Sequence, residues 1–247
     1  MEWYDRAEIY DILCGWDPAQ ERDFVLGASE RYGVGAPRRI LEPFCGSGRL
    51  LRVMPGFAVG LDRNPHMVRY ARGRGSRVFR ADAASFAVRP GSFDLAYCLI
   101  DSFRHLESEE AARAHLRGVA RALAPGGVYV LGFDVTGDLL CDVSRDGWAC
   151  ERGGVRVEGE VRCLGDRAGR IETMRVRIEI RREGRSERID DFQPLRVYSW
   201  ADVRSLLDAV GSFDVAGVFG REYDLRRPLS RPEAGSAVLV LRNRRGT

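Results

Sequence analysis

The chain contains no lysine; all 39 of its Lys and Arg positions are arginine. That absence excludes a Walker phosphate loop, a lysine Schiff base to pyridoxal phosphate and a Tyr-x-x-x-Lys dehydrogenase, each of which needs a primary amine at a set position. Histidine is scarce, at His66, His105 and His115, and none of the six cysteines falls in a C-x-x-C pair. A zinc site is therefore not expected, and Cys45 and Cys98, in apolar surroundings, point to a reduced, cytoplasmic setting. No run approaches the roughly 18 consecutive apolar residues of a membrane span. The opening Met1-Glu2-Trp3-Tyr4-Asp5-Arg6 is too charged and aromatic for a secretory leader. Net charge is only +3, and the arginines are interspersed among 36 acids, so no basic stripe for nucleic acid stands out.

What the chain does have is a strand that breaks on a carboxylate into a glycine turn. Ile40-Leu41 leads into Glu42-Pro43-Phe44-Cys45-Gly46-Ser47-Gly48. Glycines let backbone approach a ligand closely, and a helix opening at Arg49-Leu50-Leu51 would offer free N–H groups to an anion. Glu42 would repel a pyrophosphate, and Leu51 stands where the dinucleotide fingerprint needs its third glycine. A zwitterionic amino acid suits the turn better, with its carboxylate on the helix start and its ammonium facing Glu42. Further strands also run into acids. Phe57-Ala58-Val59-Gly60-Leu61 ends on Asp62, where a carboxylate can accept from two ribose hydroxyls. Arg77-Val78-Phe79-Arg80-Ala81 ends on Asp82, placed to accept from an adenine amine. The run Phe93 to Ile100 leads into Asp101-Ser102-Phe103-Arg104-His105.

In this order, E-x-x-C-G-S-G, G-L-D, A-D-A and F-D-L-A-Y, followed by Leu123-Ala124-Pro125-Gly126-Gly127 before a fifth strand, resemble a class I S-adenosylmethionine-dependent methyltransferase over residues 40–133. The resemblance implies an α/β fold with a Rossmann-like, doubly wound, mostly parallel seven-stranded sheet whose last strand is antiparallel. It implies S-adenosyl-L-methionine as cofactor and S-adenosyl-L-homocysteine as its product. Glu42, Gly46 and Gly48 then fall at the methionine end, Asp62 at the ribose and Asp82 at the adenine, with Phe44, Arg63, Ala83 and Leu99 also assigned to the cofactor. Two features depart from the family. Only residues 49–55 separate Gly48 from Gly56, which shortens the first helix, and Phe44 replaces a commoner small residue.

Alternating strand and helix signals give the core. Ser108 can cap a helix whose first turn holds Glu109 and Glu110 and whose apolar stripe is Ala112, Leu116, Val119, Ala120 and Leu123. Pro125-Gly126-Gly127 stops it before the buried strand Val128-Tyr129-Val130-Leu131. Further on, Met174, Val176, Ile178 and Ile180 alternate with Arg175, Arg177, Glu179 and Arg181, the pattern of a half-exposed antiparallel strand. Turn signals at Gly165-Asp166-Arg167-Ala168-Gly169 and Arg182-Glu183-Gly184 predict a three- or four-stranded meander. The expected organisation is an N-terminal helical lid (1–32), a core (33–135 and 198–247) and an inserted antiparallel meander (136–197) over the acceptor side. A helix from Ser199 and strands at Phe213–Phe219 and Ala237–Leu241 complete the core.

A methyl donor needs a nucleophile aligned in a dry pocket. Asp101-Ser102-Phe103-Arg104-His105-Leu106, with Tyr10-Asp11 and the insertion, is similar to small-molecule methyltransferases that act on aminosugars. His105 is the candidate base, since imidazole ordinarily titrates near neutrality, and Tyr10 the candidate hydroxyl donor to the cofactor or the acceptor. Arg104 either pairs with an anionic substrate group or is simply solvated. Asp101 and Asp134 could ligate a metal, but their spacing carries no metal signature, and none is assigned. A small-molecule amine or hydroxyl is the expected acceptor. An RNA methyltransferase and a non-catalytic S-adenosylmethionine-binding protein are the alternatives; the DNA-amine motif N-P-P-Y and a Pro-Cys nucleophile are both missing. An exposed meander edge suggests a homodimer.

Overall fold

The computed structural model describes residues 3–135, 145–166, 170–232 and 235–244. A 3₁₀ turn (Trp3–Asp5) and two helices, α1 (Ala7–Leu13) and α2 (Ala19–Tyr32), precede the first strand. Then come β1 (Arg39–Pro43), β2 (Phe57–Asp62), α3 (Pro65–Gly73), β3 (Val78–Arg80), β4 (Phe93–Cys98), α4 (Glu109–Ala122) and β5 (Leu123–Val135). Four strands follow, β6 (Arg145–Arg152), β7 (Val155–Asp166), β8 (Ile171–Arg182) and β9 (Arg185–Arg196), before α5 (Trp200–Val210), β10 (Phe213–Phe219) and β11 (Gly235–Asn243) close the chain.

Seven strands form one sheet in the order β10-β11-β5-β4-β1-β2-β3. Pairing is parallel except around β11, which runs antiparallel to both β10 and β5. This is the expected Rossmann-like sheet. From β1 the chain winds outward through β2 and β3, then returns to place β4 on the other side of β1. That reversal opens a crevice beyond the carboxyl ends of β1 and β4, where ligands of doubly wound sheets bind. Apolar residues cover both faces: Leu41, Leu61, Leu116 and Tyr129 belong to one buried cluster, while Ile40, Leu95, Val130 and Phe24 of α2 belong to another.

The insertion is a separate four-stranded antiparallel sheet, β6-β7-β8-β9. Glu183 and Gly184 both take positive φ, 49° and 74°, which gives the tight β8–β9 hairpin its twist-matched turn. The residues 136–144 at the start of the insertion, and 167–169 within the first predicted turn, lie outside the described residues. Val176, Ile178 and Ile180 are buried as their alternation requires. What they pack against could not be read from that alternation. Together with Val155, Val157 and Ile189 they form a third core with Trp3, Ile9, Ile12 and Leu13 of the N-terminal segment.

Two local expectations are corrected. The segment after the glycine turn is one 3₁₀ turn, Leu51–Val53, and not an α-helix. Pro55 disfavours the helical region for Met54, which is extended at φ −75°, ψ 138°, so the segment ends before an α-turn can propagate. Its capacity to bind an anion through free N–H groups is correspondingly small. Leu123 is not the last residue of the helical stripe. It is already extended (φ −75°, ψ 141°) and opens β5 opposite Phe93. Ser108 does cap α4, accepting from the Ala111 N–H at 3.1 Å.

Candidate active site

The glycine turn and the end of β2 are tied through one carboxylate. Asp62 accepts from the Gly46 N–H at 2.9 Å and from the Asn64 N–H at 2.8 Å, one to each oxygen. Asn64 then caps α3 through its own side chain, which accepts from His66 and Met67. Burial raises the Asp62 pKa, while these N–H groups and Arg63 favour the charged form. Asp62 is thus a pre-oriented acceptor that lines a cavity of about 320 Å³, within the range of small-molecule sites.

Eight of the eleven residues assigned from sequence line this cavity: Tyr10, Phe44, Gly46, Asp62, Arg63, Asp82, Ala83 and His105. Asp82 is exposed and accepts from the Ala84 N–H at 2.7 Å. Phe44 takes a left-handed backbone, φ 59°, and sets its ring 5.4 Å from that of His115. Tyr10 packs over the glycine turn; a Cβ at Gly46 would lie 3.6 Å from its ring. The other three assigned residues, Glu42, Gly48 and Leu99, do not line the cavity. The Tyr97 hydroxyl donates to Glu42 Oε2 at 2.9 Å, and burial pushes the Glu42 carboxyl up to about 8. Gly48, at φ 74°, leaves room for Ser76, whose Oγ would be 2.9 Å from any Cβ there. Leu99 is buried under Gly132.

The end of β4 is conformationally unusual. Ile100 and Asp101 both have positive φ, 60° and 63°, rare above all for the β-branched Ile100, at a cost of about 1–3 kcal/mol each. They reverse the chain into the 3₁₀ turn Ser102–His105, which presents His105 to the cavity. His105 Nε2 sits 3.1 Å from the Tyr4 hydroxyl. Its near-neutral titration does not survive folding: burial, then Arg63 and Arg104, depress its pKa to about 4. The ring is neutral at physiological pH, a weak base and a ready hydrogen-bond partner. Of the other histidines, His66 is exposed on the first turn of α3. His115 is fully buried and packs between the Ala83 carbonyl (2.9 Å) and the Tyr129 hydroxyl (2.8 Å).

Arg104 is neither solvated nor free to hold a substrate anion by itself. Its side chain is 3% exposed, ion-paired to Glu172 of β8, and donates from Nε to the Arg196 carbonyl of β9 at 2.9 Å. Asp101 and Asp134 lie 3.7 and 3.8 Å from it, and Arg221 bridges the same two carboxylates at 3.1 and 3.0 Å. Arginines thus occupy the pair that sequence suggested as metal ligands. Among the described residues, no group of three or more His, Cys, Asp or Glu is placed to hold a metal ion. Five described cysteines are free thiols, and no described helix is long and apolar enough to cross a membrane.

The residues that the inserted sheet contributes to the cavity wall were not singled out from the sequence. Trp148, Val161, Met174 and Leu195 of the inserted sheet, with Trp3 and Trp16 of the N-terminal segment, complete the cavity wall. The alternation of β8 could have placed Met174 on the inner face. Nothing in the sequence said which core that face meets.

Residues 40–127 match the family described as a methyltransferase domain. No curated protein matches the chain. Its fold is shared with a solved S-adenosylmethionine-dependent methyltransferase from Clostridium acetobutylicum, with TM-score 0.74 and 18% identity over 98% of each chain. CalS10 from Micromonospora echinaspora, an amino pentose methyltransferase solved with S-adenosylmethionine bound, gives TM-score 0.67 and 23% identity over 97% of this chain and 92% of its own. The sugar N-methyltransferase KedS8 from Streptoalloteichus gives 0.70 and 22% over 94% and 92%. Residues 40–127 thus resemble a methyltransferase domain, and the chain shares the overall fold of solved S-adenosylmethionine-dependent methyltransferases.

Proposed function

We propose that the protein binds S-adenosyl-L-methionine at the β1–β4 crevice and transfers its methyl group to an amine or hydroxyl of a small molecule under the inserted sheet. The observation that carries this reading is Asp62, pinned by the Gly46 and Asn64 N–H groups at the wall of a cavity that Asp82 also lines. Acids in these positions suit a ribose and a base, and they repel a pyrophosphate. When bound, the sulfonium supplies an electrophilic methyl group, so the protein's part is alignment and exclusion of water.

Asp62 would accept from the ribose hydroxyls and Asp82 from the adenine amine, while Tyr10 covers the glycine turn. Tyr10 and His105 stand on the acceptor side, where a neutral imidazole orients an attacking group by hydrogen bonding. Met174 and Leu195 exclude solvent. That CalS10 and KedS8 are described as amino pentose and sugar N-methyltransferases supports an amine on a sugar as the first acceptor to try.

Calorimetric titration with S-adenosylhomocysteine tests the pocket, and labelled methyl transfer to a panel of aminosugars, simple amines, phenols and RNA tests the reaction. Turnover on an amine or hydroxyl is expected. Binding without turnover on any class would favour a non-catalytic binder, and turnover confined to RNA would overturn the small-molecule reading.

A further inference from the structure

Asp11 of α1 is 1% exposed, yet it holds its charge in place with partners from four separate segments. Oδ1 accepts from the Ser47 hydroxyl of the glycine turn at 2.7 Å and from Arg52 of the following 3₁₀ turn at 3.0 Å. Oδ2 accepts from the Tyr70 hydroxyl of α3 at 3.0 Å and from Arg152 of the inserted sheet at 2.8 Å. Arg52 also donates to the Ser47 carbonyl at 2.7 Å, so the turn is gripped on both its side chain and its backbone. One residue earlier, Tyr10 lies over Gly46. Helix α1 thus meets the glycine turn from two sides, through Tyr10 in the cavity and Asp11 behind it.

Through the same carboxylate the inserted sheet, by way of Arg152, is linked to the turn. Trp3, Ile9, Ile12 and Leu13 share a core with that sheet, Trp148 donates to the Leu13 carbonyl at 2.8 Å, and Arg6 pairs in a bidentate fashion with Glu187. The N-terminal segment is therefore packed onto the insertion, and Asp11 fastens the two to the glycine turn. We propose that Asp11 is a positioning residue that couples the seating of the inserted sheet to the conformation of the glycine turn, and through the turn to cofactor affinity. The inference rests on the reading of the cavity as an adenosyl site. A buried carboxylate shared by two guanidiniums and two hydroxyls can transmit displacement, because moving one partner leaves the others imperfectly satisfied.

The test cuts the tie on the far side. Arg152 does not line the cavity and 43% of its side chain is exposed, so Arg152→Gln leaves core packing intact. Amide hydrogen exchange at Ser47 and Gly48 of the unliganded protein is expected to quicken in this variant. Its dissociation constant for S-adenosylhomocysteine is expected to rise roughly 5-fold or more, the lower range of measured couplings between sites. In an Asp11→Asn background the same substitution should add little, since the carrier is already cut. If that background does not fold, Ser47→Ala replaces it, and the effect of Arg152→Gln should again shrink.

A purely structural role would lower the melting temperature and leave turn exchange and affinity as they were; that result overturns the proposal, as does an equal fold-loss in both backgrounds. A wild-type protein that does not bind S-adenosylhomocysteine, but whose turn still loosens in Arg152→Gln, would sink the cofactor reading and leave the coupling standing.

Discussion

The Tyr4 hydroxyl and His105 Nε2 lie 3.1 Å apart, with the two rings edge to face at a centroid distance of 5.6 Å. The N-terminal segment and the loop after β4, 101 residues apart in sequence, meet at this contact. It joins a phenol whose pKa burial drives far above its ordinary value to an imidazole driven down. Both groups are therefore neutral over the physiological range, and the ring can accept at Nε2 while keeping its proton at Nδ1. NMR titration of the ring resonances should give an apparent pKa near 4 for His105. Tyr4→Phe should alter the Nε2 chemical shift without making the ring titrate near 7. A wild-type midpoint above 6 would contradict the burial argument.

The depressed histidines also set an acid limit. His105 and His115 both fall from an unfolded value near 6.5 to about 4. Between these values the unfolded chain binds more protons than the folded one, so their contribution to stability is complete above about 6.5 and is lost as pH falls toward 4. Denaturant midpoints measured across this window should drop on acidification, and His105→Gln should flatten the slope.

Glu42 behaves in the opposite sense. Its folded pKa of about 8 exceeds the ordinary carboxylate value, so the folded state holds the extra proton between about 4.5 and 8 and loses stability as pH rises through that range. Glu42→Gln keeps an acceptor for the Tyr97 hydroxyl and removes the ionisable proton. The variant should melt higher than the wild type at pH 8 and differ little at pH 5. The reverse order would show that the carboxylate is ionised at little cost.

The proposed division of labour between Asp62 and His105 can be read from separate constants. Asp62→Ala removes the acceptor that orders Gly46 and Asn64, so it should mainly weaken binding of S-adenosylhomocysteine. His105→Ala should lower turnover more than cofactor affinity. Equal effects on both constants in both variants would contradict the assignment.

Arg104 should be the most costly single cation to remove. Its guanidinium is buried against Glu172, Asp101 and Asp134, and Arg104→Met would leave those carboxylates without it. A loss of about 3–5 kcal/mol in chemical denaturation is expected, as for other broken buried pairs. Loss below about 1 kcal/mol would mean that the cluster is hydrated.

Gly159 reports on the joint between α1 and the inserted sheet. A Cβ there would stand 2.7 Å from Leu13 Cδ2, so Gly159→Ala should destabilise by about 1–3 kcal/mol through overpacking. In a Leu13→Ala background the added methyl should be nearly neutral, a non-additivity visible in a double-mutant cycle.

The sequence by itself determined the order of the core strands, the acids at their ends and the antiparallel insertion. Those features are local: alternation, a cap such as Ser108, and glycines at turns act within a few residues of chain. It also brought out Asp62, because a strand ending on an acid before Asn64-Pro65 has a recognisable form. Tertiary structure decided the rest. That Arg104 is buried, that His105 is neutral and that Asp11 joins four segments all follow from contacts between residues far apart in the chain. Burial and the neighbouring charges it brings set protonation and partner choice, and neither is written in the spacing of any one segment.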